Sequence, residues 1–398
     1  MHASSTADTP SRSAAKMPPI LVAGNELTIY AEAAPLFESM IMDIRSARRR
    51  VWMETYIFAD DGSGSRIAEE LSAAAQRRLD TRLLYDSVGS MLTEKSFFSD
   101  MRDQGVDVHA YHTFFEALRH FSPLRIMNRR DHRKLLIVDD EIVYFGGMNI
   151  VDHGRDFRYL NTPEEAAPTV GWRDFHVRLK GPAAQQVAAS FERSWDQAHG
   201  RPISVRPRAY RRVHLPQHDE SIHFFDSGHG LGYSRADRVF RRILRGAQRE
   251  AVIAMAYFVP VRRVLGAILR LRRDRRRVLV VVPAMGDIPL VRHASQYLYR
   301  KLLNRGVRIF ERSNRMLHAK LVIVDKRWTI CGSSNMDPRS LWINQEFLAV
   351  IKSDAFARAA RSIVAYELHH SRRVSPNETR PIHIRMLCGL AWLLRWWL

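Results

Sequence analysis

The sequence predicts an α/β protein in which two similar α/β sandwich halves pack face to face around one pseudo-twofold active site. The first observation behind this prediction is a repeat: DHRKLLIVDDEIVYFGGMN, which begins at Asp131, recurs as LHAKLVIVDKRWTICGSSN, which begins at Leu317. Each copy reads His-x-Lys, four residues, Asp, six residues and then Gly-x-x-Asn. The second observation is that helical segments alternate with short buried strands ahead of each copy, which is typical of α/β folds.

The elements that lead to the two motifs correspond to one another in order. RRRVWMETYIF from Arg48 resembles QREAVIAMAYF from Gln248, and each predicts a basic helix end followed by a buried strand. AAAQRRLDTRLLYD and ILRLRRDRRRVLVVVP each predict an amphipathic helix that runs into a β-branched strand. MRDQGVDVHAY and LLNRGVRIFER then each predict a helix that ends at a glycine, Gly105 or Gly306, before the next strand.

The chain therefore divides into five predicted regions. Residues 1–20, rich in Ser, Thr, Ala and Pro, predict a disordered tail, and the Pro- and Arg-rich residues 201–220 predict a linker. The other three regions are a first half at 21–200 with its motif at 132–149, a second half at 221–370 with its motif at 318–335, and an apolar C-terminal segment at 382–398.

The spacing within each motif predicts a polar cluster. His132 and Lys134 are two residues apart on a strand, so their side chains leave the same face. LLIV, DDE and IVYF predict a strand, a tight turn and a strand that returns Asn149 beside that pair. The same offsets recur in the second copy at His318, Lys320 and Asn335. Two imidazoles, two ammonium groups and two carboxamides around one point suit a phosphate group.

Composition bears on the partner of that cluster. The chain has 62 Lys and Arg against 42 Asp and Glu, for a formal net charge of +20. This charge predicts a polyanionic partner, either an anionic membrane surface or a nucleic acid, or else a solvated basic face. Only 8 of the 62 basic residues are lysines, yet both motifs use one, which indicates a need for a compact ammonium group. The two cysteines, Cys331 and Cys388, form neither a disulfide framework nor a zinc pattern, so we expect a reducing, cytoplasmic setting.

The apolar segment 382–398, IHIRMLCGLAWLLRWWL, combines three tryptophans with two arginines. It is too short to span a bilayer but suits a helix in the lipid interface, with Trp392, Trp396 and Trp397 at headgroup depth. The alternative interpretation is a C-terminal helix packed on the core. We expect a peripheral protein at the cytoplasmic side of the cell membrane, with no spanning helix and no signal peptide.

The two motifs resemble the paired HxKxxxxD…GSxN motifs of the phospholipase D superfamily. The wider pattern is similar to bacterial cardiolipin synthases, through METYIF, through GWRDFHVRLKGPA after the first motif and through NMDPRSLWINQEF after the second. The resemblance implies two phospholipase D-like halves and covers nearly everything from Asn25 onward. One departure is Gly147, where the family has serine; Ser333 keeps that serine in the second copy.

The resemblance implies transfer of a phosphatidyl group from one phosphatidylglycerol to another phospholipid, which forms cardiolipin and glycerol through a phosphohistidine. It implies that His132 is the nucleophile and His318 the acid and base. The aspartates Asp139 and Asp325 complete the catalytic motifs, although their place in the turns favours bracing of the loops. The remaining implied residues are Lys134, Lys320, Asn149, Asn335 and Ser333 at the phosphate, and Asp174 and Glu346 at the second nitrogen of the two imidazoles.

Two other functions remain open at this point. One is a phospholipase D or nuclease-type phosphodiesterase that passes the same intermediate to water, and the other is a non-catalytic module that binds anionic lipid. The apolar and aromatic segment TFFEALRHFSPLRIM, residues 113–127, favours a phosphatidylglycerol-containing membrane over a nucleic acid. We expect neither a metal nor a cofactor, because His109, His112, His369 and His370 lack acidic or cysteine partners at metal spacing. The oligomeric state is not predicted.

Overall fold

The computed structural model describes residues 15–111, 129–152, 171–200, 215, 218–227, 235–378 and 380–396. Much of the predicted linker at 201–220 and all of the segment at 113–127 lie outside these residues, as does Trp397. The described residues form two mixed sheets of eight strands each, flanked by helices.

The first half begins with a hairpin and then alternates strands with helices. Its elements are β1 (Ile20–Val22), β2 (Asn25–Tyr30), α1 (Ala33–Ser46), β3 (Arg50–Thr55), α2 (Gly62–Gln76), β4 (Asp80–Asp86), α3 (Lys95–Asp103), β5 (Asp107–Tyr111), β6 (Leu135–Val138), β7 (Ile142–Gly146), β8 (His176–Lys180) and α4 (Ala184–Ala198).

The second half repeats this order and adds elements at its end. Its elements are β9 (Ser221–Ser227), α5 (Arg235–Gly246), β10 (Glu250–Met255), α6 (Arg262–Arg273), β11 (Arg277–Pro283), α7 (Pro289–Tyr297), α8 (Tyr299–Leu303), β12 (Arg308–Arg312), β13 (Lys320–Val324), β14 (Trp328–Gly332), α9 (Pro338–Trp342), β15 (Glu346–Lys352), α10 (Asp354–His369), β16 (Ser371–Arg373) and α11 (Ile382–Leu393).

The two sheets share one topology. The first has the order β1-β2-β8-β7-β6-β3-β4-β5, and the second has β9-β15-β14-β13-β10-β11-β12-β16. In both, three parallel strands joined by helices lie beside an antiparallel hairpin that carries the motif. The helices α3 and α8 end just before Gly105 and Gly306, whose φ angles of 94° and 79° suit glycine. The predicted fold class of two similar α/β halves is confirmed.

One hydrophobic core lies between the two halves, and each half has a second core of its own on the other side of its sheet. Inward-facing side chains of both sheets meet there with the inner faces of α4 and α10. The rings of Phe145 on β7 and Phe347 on β15 lie 5.7 Å apart across the two halves. Burying one such side chain contributes about 1.5–3 kcal/mol, so this shared layer holds the two motif hairpins at a fixed separation.

The start of the described chain departs from the prediction of a tail over residues 1–20. Lys16 forms an antiparallel bridge with Tyr30, and the N–H of Met17 donates to the carbonyl of Ile29 at 2.8 Å. Ile20 then begins β1. The prediction of disorder is therefore wrong for residues 15–20, because the short apolar run there adds a strand to the edge of the first sheet; residues 1–14 lie outside the described residues.

Candidate active site

Each motif folds as the predicted hairpin. β6 pairs antiparallel with β7 so that Val138 faces Ile142, and β13 pairs with β14 in the same way. Extending the first register brings residue 148 opposite His132, as the spacing predicts. The turns place four residues in the left-handed region, namely Asp139, Asp140, Asp325 and Lys326.

The motif aspartates lie at the far end of these hairpins from the histidines. The carboxylate of Asp139 accepts hydrogen bonds from the backbone N–H groups of Arg48, Arg49 and Arg50 at 2.8–3.0 Å. Burial raises the pKa of Asp139, but these three donors outweigh it and the pKa is lowered. Five residues of strand separate Asp139 from Lys134, roughly 16 Å.

Asp325 makes the same three backbone contacts in the second half, with Gln248, Arg249 and Glu250 at 2.7–2.9 Å. These contacts agree with the expected role of Asp139 and Asp325 in bracing the turns, and their place among the catalytic residues stays a prediction. Each aspartate ties its hairpin to the start of the neighbouring strand, β3 or β10.

The two imidazoles are oriented by carboxylates from the opposite half. His132 Nδ1 lies 3.2 Å from Glu346 Oε2 and 3.1 Å from the carbonyl oxygen of Ser333. His318 Nδ1 lies 2.7 Å from Asp174 Oδ2. All four of these side chains are buried. Because a carboxylate of the other half engages Nδ1 of each ring, Nε2 is the nitrogen that remains for chemistry. In His318 this Nε2 lies 3.0 Å from Lys320 Nζ.

Backbone contacts reinforce this exchange between the halves. The N–H of His132 donates to the carbonyl of Gln345 at 3.0 Å, and the N–H of His318 donates to the carbonyl of Arg173 at 2.6 Å. The side chain of Arg173 is itself buried, with Nε 2.7 Å from Glu367 Oε1. The segment that carries Asp174 is therefore anchored at the residue before it, through both the backbone and the side chain of Arg173. The string GWRDFH marks this segment in the sequence. Neither composition nor spacing predicts the buried ion pair between Arg173 and Glu367.

Both motif lysines are buried beside their own histidines. Lys134 Nζ donates to the carbonyl of His132 at 2.7 Å, and Lys320 Nζ donates to the carbonyl of His318 at 2.5 Å. Burial lowers the pKa of Lys134 to about 7 and also lowers the pKa of Lys320. An anionic phosphate in this cluster would favour the charged form of both.

The electrostatic environment of the two histidines is unequal. Burial, followed by the charge of Lys134, lowers the pKa of His132 well below its usual value. Burial and Lys320 also lower the pKa of His318, but Asp174 opposes them. Burial acts to raise the pKa of Asp174, yet Lys320 and His318 lower it overall.

The two carboxylates that contact the histidines also differ, because the pKa of Glu346 is raised and the pKa of Asp174 is lowered. Burial raises the pKa of Glu346 to about 7, although a hydrogen bond from Ser333 and the charge of Lys134 oppose the rise. His318 therefore faces an ionised carboxylate, whereas His132 faces one that is partly protonated at neutral pH.

The departure at Gly147 has a steric cause. A Cβ at this position would lie 2.2 Å and 2.6 Å from the two carboxylate oxygens of Asp174, so no side chain fits while Asp174 holds His318. In the second half the hydroxyl of Ser333 donates to Glu346 and accepts from the N–H of Phe347 at 3.0 Å. Ser333 thus contacts the carboxylate, and its expected contact with phosphate stays a prediction.

The remaining predicted residues, Asn149 and Asn335, follow β7 and β14 and are buried. Aromatic rings that the motif analysis did not single out border the imidazoles. Tyr56 lies 5.0 Å from His132, and Trp172 lies 5.3 Å from His318, measured between ring centroids. Tyr56 belongs to the string METYIF and Trp172 to GWRDFH, two of the strings on which the family resemblance rests. Among the described residues, no group of three or more His, Cys, Asp or Glu is arranged to hold a metal ion.

A family model described as "Cardiolipin synthase, PLD-like domain" matches residues 40–195 and 240–366, which is more than half of the chain. The chain belongs to this family. The resemblance inferred from the motifs is thereby confirmed, and each matched segment contains one of the two motif histidines.

Named relatives of this cardiolipin synthase-family protein agree. It is 32% identical over 342 residues to cardiolipin synthase A of Serratia proteamaculans strain 568, covering 84% of this chain and 67% of that protein. It is 26% identical over 377 residues to cardiolipin synthase 1 of Staphylococcus aureus strain MRSA252, covering 94% of this chain and 74% of that protein.

Solved structures confirm the fold of the family member. A crystal structure of phosphatidylserine synthase from Haemophilus influenzae Rd KW20 superposes with a TM-score of 0.70 at 18% identity, covering 94% of this chain and 95% of that chain. A polyphosphate kinase from Porphyromonas gingivalis superposes with a TM-score of 0.57 at 12% identity, covering 92% of this chain and 53% of that chain.

Proposed function

We propose that the protein is a phosphatidyltransferase that moves a phosphatidyl group from phosphatidylglycerol to a hydroxyl group of a second phospholipid, forming cardiolipin and releasing glycerol. The observation that carries this proposal is the buried cluster in which each half supplies a histidine, a lysine and the carboxylate for the other half's histidine. Its occurrence in a chain matched on both halves by the cardiolipin synthase family supports the substrate class.

The decisive experiment is purified protein with labelled phosphatidylglycerol in vesicles, followed by lipid analysis. Cardiolipin together with free glycerol supports the transferase. Phosphatidic acid alone indicates a hydrolase, and binding without turnover indicates a non-catalytic lipid-binding module.

The unequal histidines favour an order of events. His132, whose pKa lies well below the usual value, is a neutral imidazole whose Nε2 can attack phosphorus. His318, beside ionised Asp174, is better able to carry a proton and to give it to the departing glycerol oxygen. In the second step His318 takes the proton of the incoming hydroxyl, whose oxygen displaces His132 from phosphorus.

The lysines, together with Asn149 and Asn335, bind the non-bridging oxygens in this mechanism. The Lys134→Arg variant is expected to lose at least about a hundredfold in kcat, because a wide guanidinium replaces a compact buried ammonium at a transition-state contact. Turnover of labelled phosphatidylglycerol measures the loss. Lys180→Arg, at the exposed end of β8, is the matched control and should be silent. Wild-type kcat in Lys134→Arg would show that charge alone suffices.

The pH profile should report the buried lysine. Lys134 is cationic below a pKa of about 7 and loses its charge above it. We therefore expect kcat/KM to be highest on the acidic side of neutrality and to fall by about tenfold per pH unit above the pKa of the free enzyme. Because bound phosphate favours the ammonium, the alkaline limb of kcat should lie at higher pH. A kcat/KM that rises through pH 8 would contradict this assignment.

Membrane association is proposed to involve α11, whose two sides differ. Cys388 and Ala391 are buried, and Trp392 stacks on Tyr297 of α7 at a centroid distance of 5.3 Å. The other side exposes a row of large apolar side chains, namely Ile382, Met386, Leu390, Leu393 and Trp396. The buried side, with Trp392, agrees with the core-packing interpretation, and we propose that the exposed side contacts the lipid interface. None of the helices in the described ranges has the length and apolarity needed to cross a membrane.

A groove of about 1270 Å³ beside α11 supports the same orientation. Basic side chains line it together with an apolar surface that includes Leu303 and Met386. The basic residues are Arg300, Lys301, Arg380 and Arg385. Anionic lipid attracts such residues by about 1 kcal/mol each near the surface. We propose that this face lies on an anionic membrane as a peripheral contact, on the cytoplasmic side.

Because α11 packs on α7, substitution of its exposed side is a cleaner test than deletion. Replacing Met386, Leu390 and Leu393 together by serine should weaken binding to phosphatidylglycerol vesicles at least about tenfold, since each loses apolar burial in the interface. The melting temperature and turnover of a soluble short-chain phosphodiester should stay unchanged. Ala391→Ser, on the buried side, is the matched control and should lower the melting temperature instead. Unchanged vesicle binding in the triple variant would exclude this face as the anchor.

A further inference from the structure

The active-site wall on the His318 side carries a carboxylate that the mechanism above does not use. The ring of Tyr257 meets the His318 imidazole edge-on, with centroids 6.3 Å apart and planes at 84°. The hydroxyl of Tyr257 donates to Asp287 Oδ2 at 2.5 Å. Asp287 lies in the connection between β11 and α7. One tyrosine thus links a catalytic imidazole to an acidic side chain at the edge of the cluster.

The second oxygen of this carboxylate is placed to accept a hydrogen bond. Asp287 Oδ1 is shielded from solvent and has no hydrogen-bond partner among the residues that the structure describes. A buried acceptor without a donor costs free energy, and a hydroxyl group of a bound ligand would recover it. Tyr257 fixes the carboxylate through the other oxygen, so Oδ1 is held in place before a ligand arrives.

The charge of Asp287 limits which part of a ligand it can meet. Burial is the main cause that lowers the pKa of His318 and of Lys320, and the negative charge of Asp287 opposes it in both. A carboxylate so close to the cluster would repel the non-bridging oxygens of a phosphate. It can instead receive the alcohol on the far side of the P–O bond that breaks. The headgroup of phosphatidylglycerol, the donor in the proposed function, carries hydroxyl groups that can donate to this carboxylate.

Among the described residues, the position of the first half that corresponds to Tyr257 carries no tyrosine. Phe58 and Phe258 make equivalent bridges, to Ile150 and Met336, which aligns Tyr257 with Ile57. Isoleucine cannot hold a carboxylate by a hydrogen bond. The pairing of a tyrosine with this carboxylate therefore lies on the side of the site where His318 handles the alcohol proton.

We propose that Asp287, held by Tyr257, is a specificity-determining residue that accepts hydrogen bonds from the hydroxyl groups of a polyol headgroup. In the first step it binds a hydroxyl of the departing glycerol while His318 protonates the oxygen that leaves phosphorus. In the second step it binds a hydroxyl of the acceptor headgroup while His318 removes the proton of the attacking one. No bond to Asp287 forms or breaks. This inference rests on the proposed function and names the headgroup class that the site selects.

The test compares donors that differ only in the alcohol. Short-chain phosphatidylglycerol and phosphatidylmethanol are supplied to the full-length protein, and release of glycerol or methanol gives kcat/KM for each. In Asp287→Ala the ratio of the two values should fall about tenfold or more, whatever loss the donors share, because only glycerol has a free hydroxyl to bind. Tyr257→Phe should lower the ratio in the same direction. Asp274→Ala, which removes a surface acid at the end of α6, should leave it unchanged.

Each outcome decides whether Asp287 binds the hydroxyl groups of the headgroup. An unchanged ratio, or equal losses on both donors, would overturn it, since Asp287 would then act only through the fold or through His318. A collapse with phosphatidylethanolamine but not with phosphatidylglycerol would show that the headgroup class is wrong. If Asp287→Ala does not fold, Tyr257→Phe alone carries the comparison. Failure of the proposed function is separate, because wild-type protein that releases glycerol without forming cardiolipin still reports the ratio.

Discussion

His132→Ala and His318→Ala are each expected to reduce phosphatidyl transfer by at least about a thousandfold, and the double variant should be little worse than either single variant. The physical reason is that one buried cluster contains both imidazoles, and each is oriented by a carboxylate of the other half. Neither half holds a complete pair of nucleophile and acid. Residues that act as such a unit give strongly non-additive losses when they are removed together.

The measurement is the rate of cardiolipin formation from labelled phosphatidylglycerol. His369→Ala, an exposed histidine at the end of α10, is the matched control and should retain wild-type activity. Substantial turnover in either active-site variant, with the fold intact, would refute a mechanism that needs both histidines.

A labelling experiment separates the two roles. A donor with a good leaving group needs no acid in the first step, so His318→Ala should still form a phosphohistidine on His132 and should hydrolyse or transfer it slowly. His132→Ala should trap no label. Label found on His318 in the His132→Ala variant would reverse the assignment.

The hairpins could be predicted from sequence because their signals are local. Strand alternation and the turn residues fix the register of 132–149 and 318–335, and the structure has that register. The duplication then predicts one shared site, since two equal halves with matching faces can pack about a twofold axis. Gly105 and Gly306 marked helix ends for an equally local reason.

The cross-half pairings could not be predicted from spacing. Asp174 and His318 are 144 positions apart, and Glu346 and His132 are 214 apart. The pairing of each carboxylate with a histidine depends on how the two halves pack against each other. The residue spacing within one half carries no information about this packing. Resemblance to the family supplied the two acids but not the pairing.

The distance of Asp139 and Asp325 from the histidines also cannot be obtained from motif membership alone. The motif spacing associates them with the histidine and lysine, but a strand carries them roughly 16 Å away from the lysine, to its opposite end. Their three backbone donors each agree with a structural role. Spacing in sequence predicts proximity only where the period of the strand and the position of the turn are both taken into account.

Asp174→Asn is expected to reduce kcat about a thousandfold, whereas Glu346→Gln should cost only about tenfold. His318 Nδ1 has the Asp174 carboxylate 2.7 Å away, and this contact fixes the tautomer and stabilises the protonated ring. An asparagine amide can present its NH₂ group to Nδ1, which moves the ring proton to Nε2 and removes the favourable charge. His318 would then be both wrongly protonated and a poorer acid.

His132 has a second acceptor that the Glu346→Gln change leaves intact. The carbonyl of Ser333 lies 3.1 Å from His132 Nδ1, so the tautomer survives the loss of the carboxylate. Burial already holds the pKa of Glu346 at about 7, so much of its charge is absent at neutral pH before any substitution. His132 acts as a neutral ring, so replacing Glu346 by a neutral glutamine changes its electrostatic environment little. The loss of the Asp174 charge has a far larger effect on His318, which must carry a proton.

Single-turnover kinetics on both variants, with melting temperatures, tests this inequality. Asp80→Asn, a partly exposed acid at the start of β4, is the matched control for an Asp-to-Asn change and should be silent. The loss in Asp174→Asn should shrink with a donor whose leaving group needs no proton, because the acid role of His318 is then bypassed. Equal losses in Asp174→Asn and Glu346→Gln would mean that the two histidines share the acid role, and a larger loss in Glu346→Gln would exchange their assignments.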